Sequence, residues 1–174
     1  AVILFTKQMS NIPVTTKVLP DHKSEQKKVM PHVVNDRHDC PQVSIFTIEG
    51  PLFFGAAQTF ENRIMESIHF KPNVLILRLG KVPFMDTTGE GYFRNIVHHF
   101  HNAGGILLIS GTSPKLKNTL QKNGLYEEIG ENHFFNHTGE AIDYALSQLD
   151  QSKCLGCKHL AFRECSELSH PSLP

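Results

Sequence analysis

Val82-Pro83-Phe84-Met85-Asp86-Thr87-Thr88-Gly89-Glu90-Gly91-Tyr92-Phe93 follows closely on the apolar run Val74-Leu75-Ile76-Leu77-Arg78-Leu79. The run is short and almost wholly apolar, the pattern of a strand covered on both faces. Downstream, Phe93, Ile96, Val97 and Phe100 recur at i, i+3, i+4 and i+7. That spacing predicts a helix from near Thr88 to about Asn102, ended by Gly104-Gly105. An acidic group and two hydroxyls, Asp86-Thr87-Thr88, therefore stand where a buried strand turns into a helix. In open α/β folds that turn is where ligands and partners meet the protein.

The same alternation continues outward. Ile106–Ile109 predicts a second buried strand, and Ser113 followed by Pro114 predicts a capped helix that ends near Asn123-Gly124. Glu131–Phe135 offers a short edge strand. A last helix starts after Thr138 and buries Ile142, Ala145, Leu146 and Leu149. Upstream, Ala57, Phe60, Ile64 and Ile68 form one stripe, which predicts a helix over about Ala56–Ile68. Leu52-Phe53-Phe54 reads as a short strand or extended stub after the break at Gly50-Pro51, and Val43–Ile48 alternates as a strand, paired in a hairpin with His32-Val33-Val34-Asn35. Residues 6–31, polar and punctuated by Pro13, Pro20 and Pro31, read as a linker or mobile loop. The expected organisation is residues 1–31 as leading segment and linker, 32–150 as the domain, and 151–174 as a separate tail. Strand–helix alternation with short apolar strands predicts an α/β fold, with a mixed, mainly parallel central sheet and about four helices. Periodicity leaves open whether the helices cover one face or both.

Composition narrows the function. Lys plus Arg and Asp plus Glu each number 17, so there is no charge excess to attract nucleic acid. Four cysteines, three of them at Cys154, Cys157 and Cys165, are too sparse for a disulfide framework and favour a reducing compartment. No run reaches the ~18–20 apolar residues of a membrane span. Ala1-Val2-Ile3-Leu4-Phe5 before Thr6-Lys7 reads either as the interfacial end of a longer apolar helix or as a short capping segment.

Three stretches resemble STAS domains, the fold shared by anti-sigma-factor antagonists and the cytoplasmic tails of SulP-type anion transporters. Ile48-Glu49-Gly50-Pro51-Leu52-Phe53-Phe54-Gly55-Ala56-Ala57 looks like the segment typical of SulP tails, where a hairpin leads into the first helix. Val82–Gly89 looks like the family's signature loop. Gly104–Gly111, with Gly124-Leu125, looks like its third strand and third helix. The first stretch separates the two branches, because antagonists usually lack it. The resemblance implies a STAS-like sheet and a non-enzymatic regulatory module of a sulfate or other anion transporter, at the cytoplasmic face of the membrane. Its implied partners are the transporter's membrane domain in cis, a second copy, or a soluble regulatory protein. Ala1–Lys7 would then end the last membrane helix. At Glu90-Gly91 this chain departs from the Leu-Gly common in antagonists, which separates its helix start from their partner surface.

Thr87 matches the residue phosphorylated in the antagonists, so Thr87 and Thr88 are the regulatory candidates and Asp86-Thr87-Thr88-Gly89 the binding loop. Phosphorylation would place about −1.5 to −2 charges at a helix N-terminus, where the dipole tolerates them. The bland alternative is a capping box, with Thr87 accepting from the Glu90 amide and Glu90 reaching back. No cofactor is expected, with one exception: Cys154, Cys157, His159 and Cys165 have the residue types of a Cys₃His zinc site, whereas an iron–sulfur site would want a fourth cysteine, for which Cys40 is distant but available. His98, His99 and His101 fall on different helix faces and cannot share one ligand. His133 and His137 carry no clear role, and no nucleophile–base constellation supports catalysis. Two rival readings remain: a free-standing, phospho-switched anti-sigma-factor antagonist, and a zinc-dependent binding module.

Overall fold

A computed structural model describes residues 14–21, 27–31, 39–53, 56–67 and 72–169. Six strands form one sheet: β1 (Val14–Pro20), β2 (Val29–Pro31), β3 (Val43–Glu49), β4 (Val74–Lys81), β5 (Ile106–Ser110) and β6 (Phe134–Phe135). Their order is β2-β1-β3-β4-β5-β6. β3 to β6 run parallel, and β1 is antiparallel to both β2 and β3. The sheet is thus mixed and mainly parallel, as the alternation of elements requires.

Among the described residues the helices are α1 (Ala56–Ser67), α2 (Thr87–Asn102), α3 (Pro114–Lys122), α4 (Leu125–Ile129), α5 (Thr138–Ser147), α6 (Gln151–Cys154) and α7 (Cys165–Ser169). The strands divide their side chains between two cores. Leu75, Leu77 and Leu79 of β4, with Leu107 and Ile109 of β5, meet Phe60, Ile64, Phe93, Ile96, Val97 and Phe100 of α1 and α2. Val74 and Ile76 point the other way, with Ile45 and Leu108, toward Ala141, Ile142 and Ala145 of α5. Period-two alternation in a strand covered on both sides produces this division. The sheet is therefore clothed on both faces.

Several expectations change. β1 and β2 fall within residues 6–31, read as a linker, and Val18 and Leu19 of β1 are buried. β3 pairs with β1 on one edge and β4 on the other; His32–Asn35, the expected hairpin partner of β3, lie outside the described residues, as do Ala1–Lys7 and Ile68. Residues 151–169 are not separate from the domain. Cys154, Ala161, Phe162 and Cys165 are buried in the second core, where they extend the cover that α5 alone leaves incomplete. Glu131–His133 form a 3₁₀ turn, so the edge strand shrinks to Phe134–Phe135. Leu52-Phe53 is an extended stub, bridged in parallel to Met85 through Leu52.

Candidate functional site

The signature loop is held from behind by that stub. Leu52 N–H donates to Phe84 O at 3.0 Å, and Asp86 N–H donates to Leu52 O at 3.0 Å. These two bonds fix Asp86 in extended backbone (φ −93°, ψ 176°), so helical geometry begins only at Thr87. Asp86 is then the N-cap: its Oδ1 accepts from Gly89 N–H at 2.8 Å, and its carbonyl accepts from Glu90 N–H at 2.8 Å. The Thr87–Glu90 capping box expected from sequence is displaced by one residue. With Asp86 as cap, the third helical position is Gly89, which has no side chain to reach back.

The displacement leaves the two hydroxyls outside the cap. Thr87 is the first helical residue and exposed, while Thr88 is half-buried. Gly89 is buried beneath them, and a Cβ there would lie 2.4 Å from Leu52 O. The family glycine is thus a point of close contact between helix and stub. The predicted loop residues are adjacent in space as in sequence, on a rigid base with one accessible threonine at the helix start.

A second constellation at the carboxyl ends of the parallel strands was not singled out from sequence. Thr47, Arg78 and Ser110 are register neighbours on β3, β4 and β5. Arg78 donates from Nη1 to Thr47 Oγ1 at 2.8 Å and from Nε to Thr138 Oγ1 at 3.0 Å. Ser110 Oγ lies 3.2 Å from Thr138 Oγ1. Partial burial lowers the Arg78 pKa from its ordinary value, with Glu49 opposing. With Lys81, Gly111 and His137 these residues line a polar cavity of about 240 Å³. The signal was present as a polar residue in the later half of each of the three strands. What it lacked was the register that makes three isolated residues a row.

The histidines behave singly. His98 Nε2 lies 3.1 Å from Glu128 Oε2, which also pairs with Arg94. His133 Nδ1 lies 2.7 Å from Ile129 O and its Nε2 lies 3.4 Å from the Tyr144 hydroxyl. The His137 N–H donates to Glu140 Oε2 at 3.2 Å at the start of α5.

The cysteines do not. Cys154, Cys157, His159 and Cys165 line one cavity, and Cys40 joins them from before β3. Burial pushes the Cys40 thiol up to about 11 and raises Cys154 and Cys165 as well. As the side chains stand, no three His, Cys, Asp or Glu groups among the described residues are arranged to hold a metal ion.

Fold and loop together place the chain among known proteins. Residues 34–141 match the family model described as the STAS domain. A Bacillus subtilis protein described as a putative sulfate transporter, YvdB, is 40% identical over 109 residues, which are 63% of this chain and 21% of that protein. A sulfate transporter family protein from Wolinella succinogenes is 34% identical with a TM-score of 0.58, covering 73% of this chain and 96% of that one. The SulP transporter STAS domain from Vibrio cholerae is 39% identical with a TM-score of 0.54, covering 62% of this chain and 83% of that one. The chain belongs to the STAS domain family and is related to SulP sulfate transporter proteins. It spans about a fifth of the curated relative's length. No helix among the described residues is long and apolar enough to cross a membrane.

Proposed function

We propose that this chain is the regulatory and interaction domain of a SulP-type anion transporter, working at the cytoplasmic face of the membrane without catalysis. Its contact surface is the Asp86–Gly89 loop with the first turn of α2. One observation carries this reading: Thr87 is exposed at the first position of a sixteen-residue helix whose N-cap is supplied by Asp86. The side chain can therefore be covered, or modified, without loss of the fold. The partner is the transporter's own membrane domain, and relatedness to sulfate transporter proteins supports that choice over a free-standing antagonist. A second copy or a soluble regulatory protein is the same surface's next occupant.

Thr87→Glu tests the reading. It places a carboxylate where the helix dipole accepts one, so the fold is kept while the surface changes. The chain is titrated against a detergent-solubilised SulP membrane domain by calorimetry. The expected result is affinity weaker by roughly tenfold, about 1.4 kcal/mol, with an unchanged unfolding midpoint. Equal affinity for both proteins excludes the loop as the contact. Stoichiometric phosphorylation of Thr87 by an anti-sigma kinase, with no binding to the membrane domain, would favour the antagonist reading instead.

A further inference from the structure

All four cysteines of the chain meet at one place. Cys40 lies just before β3, Cys154 ends α6, Cys157 follows in the next turn, and Cys165 opens α7. Three separate segments, more than a hundred residues apart at the extremes, bring these thiols around a cavity of about 20 Å³, with Leu149 and Ala161 also in its walls. That volume suits one atom-sized occupant, since a water needs about 10–15 Å³. A water would also need two to four good polar partners. This wall is mainly thiol and hydrocarbon, which is poor for water and good for a soft cation. A cluster of several metal atoms exceeds the space.

The surroundings orient sulfur as an acceptor. Gln42 is 4% exposed, and its amide fastens the tail while its Oε1 also accepts from Asn73 Nδ2 at 3.2 Å. Its Nε2 donates to Cys154 Sγ at 3.4 Å and to Asp150 O at 3.2 Å, and its Oε1 accepts from Asp150 N–H at 3.0 Å. Phe162 N–H donates to Cys165 Sγ at 3.4 Å. N–H groups aimed at sulfur are what a metal-bound thiolate requires from its outer shell. Between Cys154 and Cys157 the chain turns through Gly156 at φ +69°, closed by Cys157 N–H to Cys154 O at 3.0 Å. The left-handed glycine turns both cysteines of the C-x-x-C toward the same cavity.

We propose that Cys40, Cys154, Cys157 and Cys165 form a four-thiolate zinc site that staples residues 151–169 to the start of β3. Cys40 is the ligand that closes a tetrahedron, in place of His159. Loading requires the four sulfurs to draw together from their present positions, with release of their protons to solvent. The staple would act on the second core without contact with the Asp86–Gly89 loop, so it does not depend on the functional reading above.

The test uses the full 174-residue chain, purified under reducing conditions. Zinc is quantified by elemental analysis and its ligands by X-ray absorption. The expected result is about one zinc per chain, with four sulfur neighbours at about 2.3 Å. Cys40→Ser should lower zinc affinity by more than the 10–100-fold typical of an outer-shell change, while His159→Ala leaves it unchanged. Cobalt titration of the unsubstituted chain gives the sulfur count independently, should a cysteine variant fail to fold. Three sulfurs with one nitrogen, unchanged affinity in Cys40→Ser, or zinc well below one per chain that a weak chelator removes would each overturn the site.

Discussion

Gly89→Ala is the substitution whose outcome the structure determines most sharply. A Cβ at Gly89 would meet Leu52 O at 2.4 Å, Leu52 C at 2.9 Å and Met85 Cγ at 3.0 Å. Two of these contacts are backbone, so no rotamer change relieves them. The start of α2 must withdraw from the stub, and withdrawal stretches the Asp86 N–H to Leu52 O bond. Overpacking of this kind costs about 1–3 kcal/mol, and a weakened hydrogen bond adds about 1 kcal/mol. Alanine in a helix returns about 1 kcal/mol. The net is a loss of about 2 kcal/mol, or a fall in Tm of about 4–8 °C for a domain of this size. Gly91→Ala is the internal control: it lies two residues further along the same helix and has nothing within 4 Å of its Cβ position. It should gain about 0.5–1 kcal/mol from helix propensity alone. Urea unfolding of the three proteins, with equal m-values, measures both. A Gly89→Ala protein as stable as the parent, or equal to Gly91→Ala, would refute the claim that this glycine is required by contact with the stub.

Two further substitutions test neighbouring claims. Asp86→Ala removes the acceptor of the Gly89 N–H and should cost about 1 kcal/mol in urea unfolding, whereas Thr87→Ala should stay within about 0.5 kcal/mol of the parent; the reverse order would restore the threonine as the cap. Phe162→Ala empties a site that is 4% exposed in the second core and should cost about 3 kcal/mol; a loss under about 1 kcal/mol would mean that the C-terminal segment does not seal that face.

Much of the domain was legible because its signals are local. The helix over Thr87–Asn102 follows from Phe93, Ile96, Val97 and Phe100, and the helix after Ser113-Pro114 from its own cap, where Ser113 Oγ accepts from Leu116 N–H at 3.2 Å. The buried strands β4 and β5 follow from runs that are apolar on both faces. β1 was missed because Thr15, Thr16 and Lys17 lie between prolines, and its strand character comes from pairing with Thr47, Ile48 and Phe46 of β3. β2 ends at Pro31 on the sheet's outer edge, where a missing donor is tolerated. In the site, the Asp86–Gly89 loop was found but its cap was misplaced by one residue. Three consecutive polar side chains were plausible caps, and the choice fell to Leu52, thirty-four residues earlier.

The amino-acid sequence by itself determined the family, the parallel core of the sheet and the position of the signature loop, because periodicity, caps and turn residues act within a few positions of one another. The tertiary structure alone decided the rest. It placed β1 beside β3, laid residues 151–169 over the second face, aligned Thr47, Arg78 and Ser110 in one row, and brought Cys40 to Cys154, Cys157 and Cys165. Each of these depends on strand register or on burial between distant segments, and neither has a signature in the local order of residues.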